Sequence, residues 1–240
     1  MSDARIDAFG GDIVRNSVYI EKLDLAFSQF VVRSPTGARL AISAGMRADF
    51  DGFQRNLQAV GIDVAAIAAL IVPHFEADEM AALPEFLSRN PALVAYAHPI
   101  CAHALADIFP VKTRILKDET PVTINGEVVV PIHVKHVHQW DSLVVYLPRL
   151  KALFSSDIFM SYGPVDGAGP TLDAMVRSIE KSGYLPSLDY LADALGKLRK
   201  YDIDRVFPMH GAALHEAIPE TIDGLAAYCE KTRPVEAALR

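Results

Sequence analysis

Cysteine is scarce in this chain: Cys101 and Cys229 are the only two among 240 residues, and no Cys-x-x-Cys pair occurs. That excludes a zinc ribbon, an iron–sulfur centre and a rubredoxin-type site, each of which needs several thiolates at close spacing. It also excludes a disulfide framework, so a reducing, cytoplasmic location is expected. Positive charge is in deficit as well. The chain carries 23 Lys and Arg against 30 Asp and Glu, a net charge of −7, with a pI near 5.6. Nucleic acid and anionic membranes both require a basic face, so neither is expected as the main partner. The N-terminal MSDARIDAFGGDIV has early acids and no apolar core long enough for a signal peptide. The longest apolar run, Val64 to Pro73, is too short to cross a bilayer.

What is present describes a folded protein. Hydrophobic residues make up 51% and charged residues 22%, a balance that excludes disorder. The length suffices for one large domain or two small ones. Val18 to Phe27, Phe30 to Arg33 and Arg39 to Ser43 read as strands of a meander, with a turn at Ser34-Pro35-Thr36-Gly37. Phe50, Phe53, Leu57 and Val60 recur at helical spacing until Gly61, and Ala69 to Val72 is a short buried strand. A helix is predicted from about Asp78 to Ser88. Strand Leu93 to Ala97, a helix after Pro99, and strands near Thr113 to Leu116 and Val128 to Ile132 follow, with a hairpin turn at Asn125-Gly126. Strands Leu143 to Tyr146 and Ala152 to Phe154 come next, then a glycine-rich loop from Gly163 to Gly169. A helical region through Tyr201, strand Arg205 to Pro208 and a closing helix complete the chain. No low-complexity linker interrupts it, which favours one α/β domain over residues 1–240, two packed sheets covered by helices.

Chemistry concentrates in Val72 to Leu87, VPHFEADEMAALPEFL, where His74, Glu76, Asp78 and Glu79 follow an apolar run. Distant residues can complete a metal site: His138 in HVHQWDS, Asp157 in LFSSDIF and His210 in VFPMHG. Each lies where a short strand meets a loop, the place from which a sheet delivers side chains to a common edge. Read alone, each has an ordinary explanation. HFEADE suits a solvated helix start, where Asp78 and Glu79 meet the N-terminal dipole. Asp157 reads as a loop cap, His210 as a helix-start residue, His215 as a surface helix residue, and His133 and His136 as exposed strand residues. In an extended chain His136 would share the face of His138 and stand behind it. Asp141 and Ser142 are candidates to orient His138 through hydrogen bonds, and Phe75, Trp140 and Tyr146 to pack near the site. His98, Cys101 and His103 have no fourth partner at useful spacing.

Taken together and in order, these segments resemble the metallo-beta-lactamase fold, an αββα sandwich of two mixed sheets flanked by helices. Within it they resemble the oxygen- and nitric-oxide-reducing core of flavodiiron proteins, in the form of a stand-alone oxygen-binding di-iron protein. That family carries H-x-E-x-D-H ahead of a Leu-Pro-Glu-Leu-like stretch, matched here by His74 to Glu79 and Leu83 to Leu87. Its His-Trp-Pro-Asp-Ser segment is similar to His138-Gln139-Trp140-Asp141-Ser142. Its Leu-Phe-Ser-x-Asp and Pro-x-His-Gly segments are matched by Leu153 to Asp157 and Pro208 to Gly211.

The resemblance implies two metals about 3 to 4 Å apart. His74, Glu76 and His138 would hold one iron, Asp78, Glu79 and His210 the other, with Asp157 bridging. Imidazole and carboxylate form a hard shell suited to iron or manganese, with zinc the hydrolytic alternative. Hydrolytic members of the fold usually present H-x-H-x-D-H, with histidine where this chain has Glu76. The sixth position departs from the family pattern, being Glu79 rather than histidine. Either Glu79 is a ligand that lowers the reduction potential of the second metal, or it faces solvent and leaves that position weak. The expected ligands are O2 or NO. Flavodiiron proteins draw electrons from a flavodoxin domain, and no phosphate-cradling loop for FMN is visible. A separate electron donor or signalling protein is therefore expected, and by resemblance a homodimer or higher homo-oligomer. The functions implied are gas sensor or O2/NO reductase; the alternative is a metal-dependent hydrolase of an ester, lactone or phosphodiester.

Overall fold

Strands whose side chains alternate between two apolar layers set the architecture. In a strand, successive residues point to opposite faces. Along Ile67–Val72, Ala69 and Ile71 face one hydrophobic layer while Leu70 and Val72 face another. Leu143–Leu147 repeats the pattern, with Leu143, Val145 and Leu147 on one side and Val144 and Tyr146 on the other. Strands buried on both faces read as unbroken apolar runs and need cover on each side.

The computed structural model describes residues 4–166 and 169–238. Its first sheet has seven strands in chain order: β1 (Ala4–Phe9), β2 (Ile13–Ile20), β3 (Leu25–Arg33), β4 (Arg39–Ile42), β5 (Ile67–Val72), β6 (Val94–Ala97) and β7 (Lys112–Ile115). β1 to β4 pair antiparallel and β4 to β7 parallel. The second sheet runs β12 (Arg205–Pro208), β11 (Ala152–Ser156), β10 (Leu143–Leu147), β9 (Glu127–His133) and β8 (Val122–Ile124). It is antiparallel except for the β11 and β12 pair. Phe30, Ile42 and Ile71 of the first sheet meet Leu143, Val145, Phe154 and Phe207 of the second in the central layer.

Helices α1 (Phe50–Ala59), α2 (Ala77–Met80), α3 (Leu83–Arg89) and α4 (Pro99–Ile108) precede the second sheet, and α1, α3 and α4 cover the outer face of the first. Helices α5 (Leu172–Ser182), α6 (Leu188–Leu198) and α7 (Ile218–Ala238) cover the second sheet. This is the expected αββα sandwich of two mixed sheets. Among the described residues no helix is long and apolar enough to cross a membrane.

Several local expectations need correction. Strand β1 is concealed by its charges, yet Asp7 sits opposite Arg15 in the ladder and binds it at 2.7 Å. The predicted strand Val18 to Phe27 is cut by a 3-10 turn at Glu21–Leu23, whereas β3 runs without a break through Ser28 and Gln29. The single helix from Asp78 to Ser88 is two, because Pro84 begins a new first turn, where a missing N–H leaves no bond unmade. Within the glycine-rich loop, Gly163 donates to the carbonyl of Asp24 at 2.8 Å, while 167–168 lie outside the described residues.

Candidate metal centre

Parallel pairing explains why distant motifs meet. β4 and β5 run side by side in the first sheet and β11 and β12 in the second, so each pair ends at one edge. Just beyond those ends come Ser43, His74, Asp157 and His210. The sheets are stitched together there: Leu143 N–H donates to Pro73 O at 3.0 Å and Ser28 N–H to Met209 O at 3.0 Å, while Met209 N–H ties the ends of β12 and β11 through Ser156 O at 2.8 Å. His138 comes from the loop before β10, where the backbone N–H of His136 donates to Gln139 O at 2.8 Å.

Two groups of donors converge on Asp157. In the first, ligand atoms of His74, Glu76 and His138 lie within 4.8 Å of one another. Glu76 Oε2 is 2.9 Å from His74 Nε2 and 2.7 Å from His138 Nε2. Asp157 Oδ2 lies 3.7 Å and 3.4 Å from the same two nitrogens. In the second, His210 Nε2 is 3.4 Å from Asp78 Oδ2 and 3.4 Å from Asp157 Oδ1. Asp157 thus turns one oxygen to each group. The His210 ring is held from behind: its Nδ1 donates to the carbonyl of Ala26 at 2.8 Å, which leaves Nε2 facing the carboxylates. The Phe27 ring meets it edge-on, centroids 5.0 Å apart.

The electrostatics are those of imidazoles and carboxylates that hold one another charged. Burial alone would depress His74, but the hydrogen bond to Glu76 and the fields of Asp157 and Glu79 outweigh it and hold the ring near 10. Burial likewise opposes His210, which Asp157 and Asp78 hold near 10. Hydrogen bonding to Glu76 raises His138. Glu76 is pulled far below the carboxylate range by hydrogen bonds from His138 and His74. Burial opposes ionisation of Asp157, yet His210 and His74 keep it below the ordinary value. Asp157 Oδ2 and Asp78 Oδ1 are buried without a hydrogen-bond partner among the described residues. Buried carboxylate oxygens left without a partner cost free energy unless a cation satisfies them. The donor set therefore fits a pair of hard or borderline divalent ions.

The remaining candidates fall elsewhere. Glu79 is fully buried, which overturns the solvent-facing alternative. Its carboxylate is directed at Ser43, at Ser156 and at the rear of His74, and burial pushes it up to about 7. His136 does not extend behind His138: its backbone is left-handed at φ 61 and its ring packs on Tyr190. Asp141 and Ser142 accept the backbone N–H groups of Phe75 and Gln139 instead of binding the His138 ring. Asp141 therefore fixes the turn after His74. Trp140 is half exposed, and Tyr146 donates to Asp202 O in the outer layer, so neither packs at the site. His215 sits before α7 against Phe9 and Phe207. His98 accepts from Ile100 N–H as the cap of α4 and Cys101 is buried.

Sequence reasoning passed over Ser43, Ser156, Tyr184 and Phe27. Ser156 had a signal, lying beside Asp157 within LFSSD. Tyr184, whose hydroxyl donates to Asp157 O at 3.2 Å and whose ring stands 5.9 Å from His138, had none.

A two-sheet αββα sandwich with its donors at the shared strand ends is the metallo-beta-lactamase-like fold in the form found in flavodiiron cores. Residues 25–211 match the family described as ODP family beta lactamase, and the chain belongs to that family. A curated relative, the anaerobic nitric oxide reductase flavorubredoxin of Aeromonas salmonicida, is 32% identical over 119 residues. That match covers 45% of this chain and 21% of the relative, so the chain spans only a part of that protein's length. A variant of the flavo di-iron protein from Thermotoga maritima superposes with a TM-score of 0.83 at 18% identity, covering 94% of this chain and 61% of that one. The chemotaxis sensor ODP, solved as its peroxy di-iron species, superposes with a TM-score of 0.74 at 16% identity, over 93% and 94% of the two chains.

Proposed function

We propose that this protein is a non-heme di-iron protein that binds O2 or NO. The observation that carries the reading is Asp157, with one oxygen turned to His74 and His138 and the other to His210. His74, Glu76 and His138 would hold one ion, Asp78 and His210 the other, with Asp157 between them. Two adjacent reduced irons, when bound, supply two electrons to a small diatomic ligand. The chain's own residues do the rest. Asp141 sets the turn that presents His74, and the Ala26 carbonyl fixes the His210 tautomer. The Glu76 side chain is 40% exposed and opens the first position to solvent, whereas His210 and Asp78 are enclosed.

Sensing is favoured over turnover, because the family description is ODP and the solved protein of that name is a chemotaxis sensor. Reduction remains the second reading, through the nitric oxide reductase relative, and requires a separate electron donor. Glu76 disfavours zinc hydrolysis, since a carboxylate there adds negative charge that stabilises higher metal oxidation states. The single-domain reading, the cytoplasmic location, a homo-oligomer and the lack of FMN binding by this chain belong to the same proposal. One site built by both sheets supports the first of these.

Protein purified without oxygen from iron-replete cells should hold about two irons per chain by elemental analysis. Zinc retained after attempted iron reconstitution would move hydrolysis to first place. Sustained, donor-dependent O2 consumption would identify a reductase, and reversible binding or a single oxidation a sensor.

A further inference from the structure

Glu79 stands where the family pattern has a histidine ligand, yet both of its oxygens are engaged away from His210 and Asp78. Ser156 Oγ donates to Glu79 Oε1 at 2.8 Å, and Ser43 Oγ donates to Glu79 Oε2. The same Ser156 Oγ lies 3.2 Å from His74 Nδ1, and Glu79 Oε1 lies 3.8 Å from that nitrogen. His74 presents Nε2 to Glu76 and Asp157, so a metal-ligating His74 carries its proton on Nδ1. That proton then points along the chain His74 Nδ1–H to Ser156 Oγ–H to Glu79. The cradle is built at some cost in backbone conformation: Ser43 and Ser156 are both left-handed, φ 66 and 48, a region that non-glycine residues seldom occupy.

We infer that Glu79 is a positioning residue for His74, acting through Ser156, and is not a ligand of the second metal. Asp78, His210 and the far oxygen of Asp157 are then the protein donors of the second position. Carboxylates placed behind ligating imidazoles fix ring orientation and raise ligand basicity, and losing them typically weakens metal binding by about 10- to 100-fold. The consequence of Glu79 is therefore felt at the first metal. This inference rests on the proposed two-metal reading.

The test uses the full chain loaded with cobalt(II), whose paramagnetism moves the Nδ1–H signals of ligating histidines out of the crowded proton spectrum. Wild type, Glu79→Gln and Ser156→Ala are compared for metal content and for these exchangeable resonances. Glu79→Gln preserves shape and an acceptor oxygen, which guards against misfolding. The inference expects two cobalt ions per chain in wild type and Glu79→Gln, with one resonance, that of His74, shifted in both variants. In a further variant, Glu79→Ala, it expects weaker retention of the first ion, by about 10-fold or more. Loss of the second ion from Glu79→Gln, with the His210 signal altered and that of His74 unmoved, overturns it and leaves the two-metal reading intact. A wild type that binds no pair of ions overturns that reading and this inference with it.

Discussion

Metal uptake should expel protons, in numbers that the site's electrostatics specify. In the metal-free protein His74 and His210 are held near 10, about three pH units above neutrality. Each ion must displace a proton from one of these rings before Nε2 can bind it. At pH 7 the displacement opposes binding by about 4 kcal/mol per ring, at about 1.36 kcal/mol per unit. The apparent Kd for each position should therefore fall about tenfold per pH unit, or about 100-fold between pH 7 and 9. It should level off near 10.

The sign for stability is opposite. Both imidazoles have folded values above their ordinary 6.5, so their contribution to the metal-free fold is complete below about 6.5 and is lost as pH rises through about 10. The difference in Tm between loaded and metal-free protein should accordingly widen with pH. Titration with manganese(II) in buffers of different ionisation enthalpy counts the protons directly, and at pH 7 at least one per bound ion is expected. Binding that releases none, with a Kd flat from pH 7 to 9, would refute the argument.

Further outcomes follow from particular contacts. Asp78→Ala should cost one ion per chain by elemental analysis and Asp157→Ala should weaken both; equal losses from the two substitutions would argue against a bridge. Arg149→Ala leaves the buried Glu127 carboxylate without its guanidinium, and also removes one of the two guanidinium partners of Asp12 and the donor to the Arg33 carbonyl. The expected cost is about 2 to 3 kcal/mol in chemical denaturation, less than for a fully buried pair because Arg149 is one-third exposed. Adding Glu127→Gln should recover part of it. Gly211 has φ 97, and a Cβ there would come within 2.3 Å of Ser161 Oγ and 2.8 Å of Ser161 O. Gly211→Ala should cost about 1 to 3 kcal/mol and weaken the His210 position, whereas unchanged stability and metal content would show that the loop yields freely. Phe207→Ala removes a ring packed on Phe9, Phe30 and Phe154 and should cost about 3 to 5 kcal/mol by thermal or chemical unfolding.

Much of the candidate site was legible because ligand chemistry is written in residue type. Histidine and carboxylate at strand ends, in the order of His74, Glu76, Asp78, His138, Asp157 and His210, mark a candidate metal site without coordinates. The fold class was legible for a related reason: two-sided burial of β5 and β10 appears directly as apolar runs. Strand β1 was not: Asp7 pairs with Arg5 of its own strand and with Arg15 across the ladder, and the second partner shows only once the strands lie side by side. Nor was the break before Leu83, where the proline that looks tolerable in one helix in fact starts another.

What the sequence by itself determined was the inventory of donors and the hydrophobic pattern that brings strand ends to one edge. Only tertiary structure decided which atoms of that inventory face one another. Glu79 is one residue from Asp78, yet its side chain leaves in another direction, toward two serines from separate strand ends. Tyr184 approaches Asp157 from beyond α5. Such placements depend on the packing of two sheets against each other, an interaction between segments far apart in the chain that no local pattern encodes.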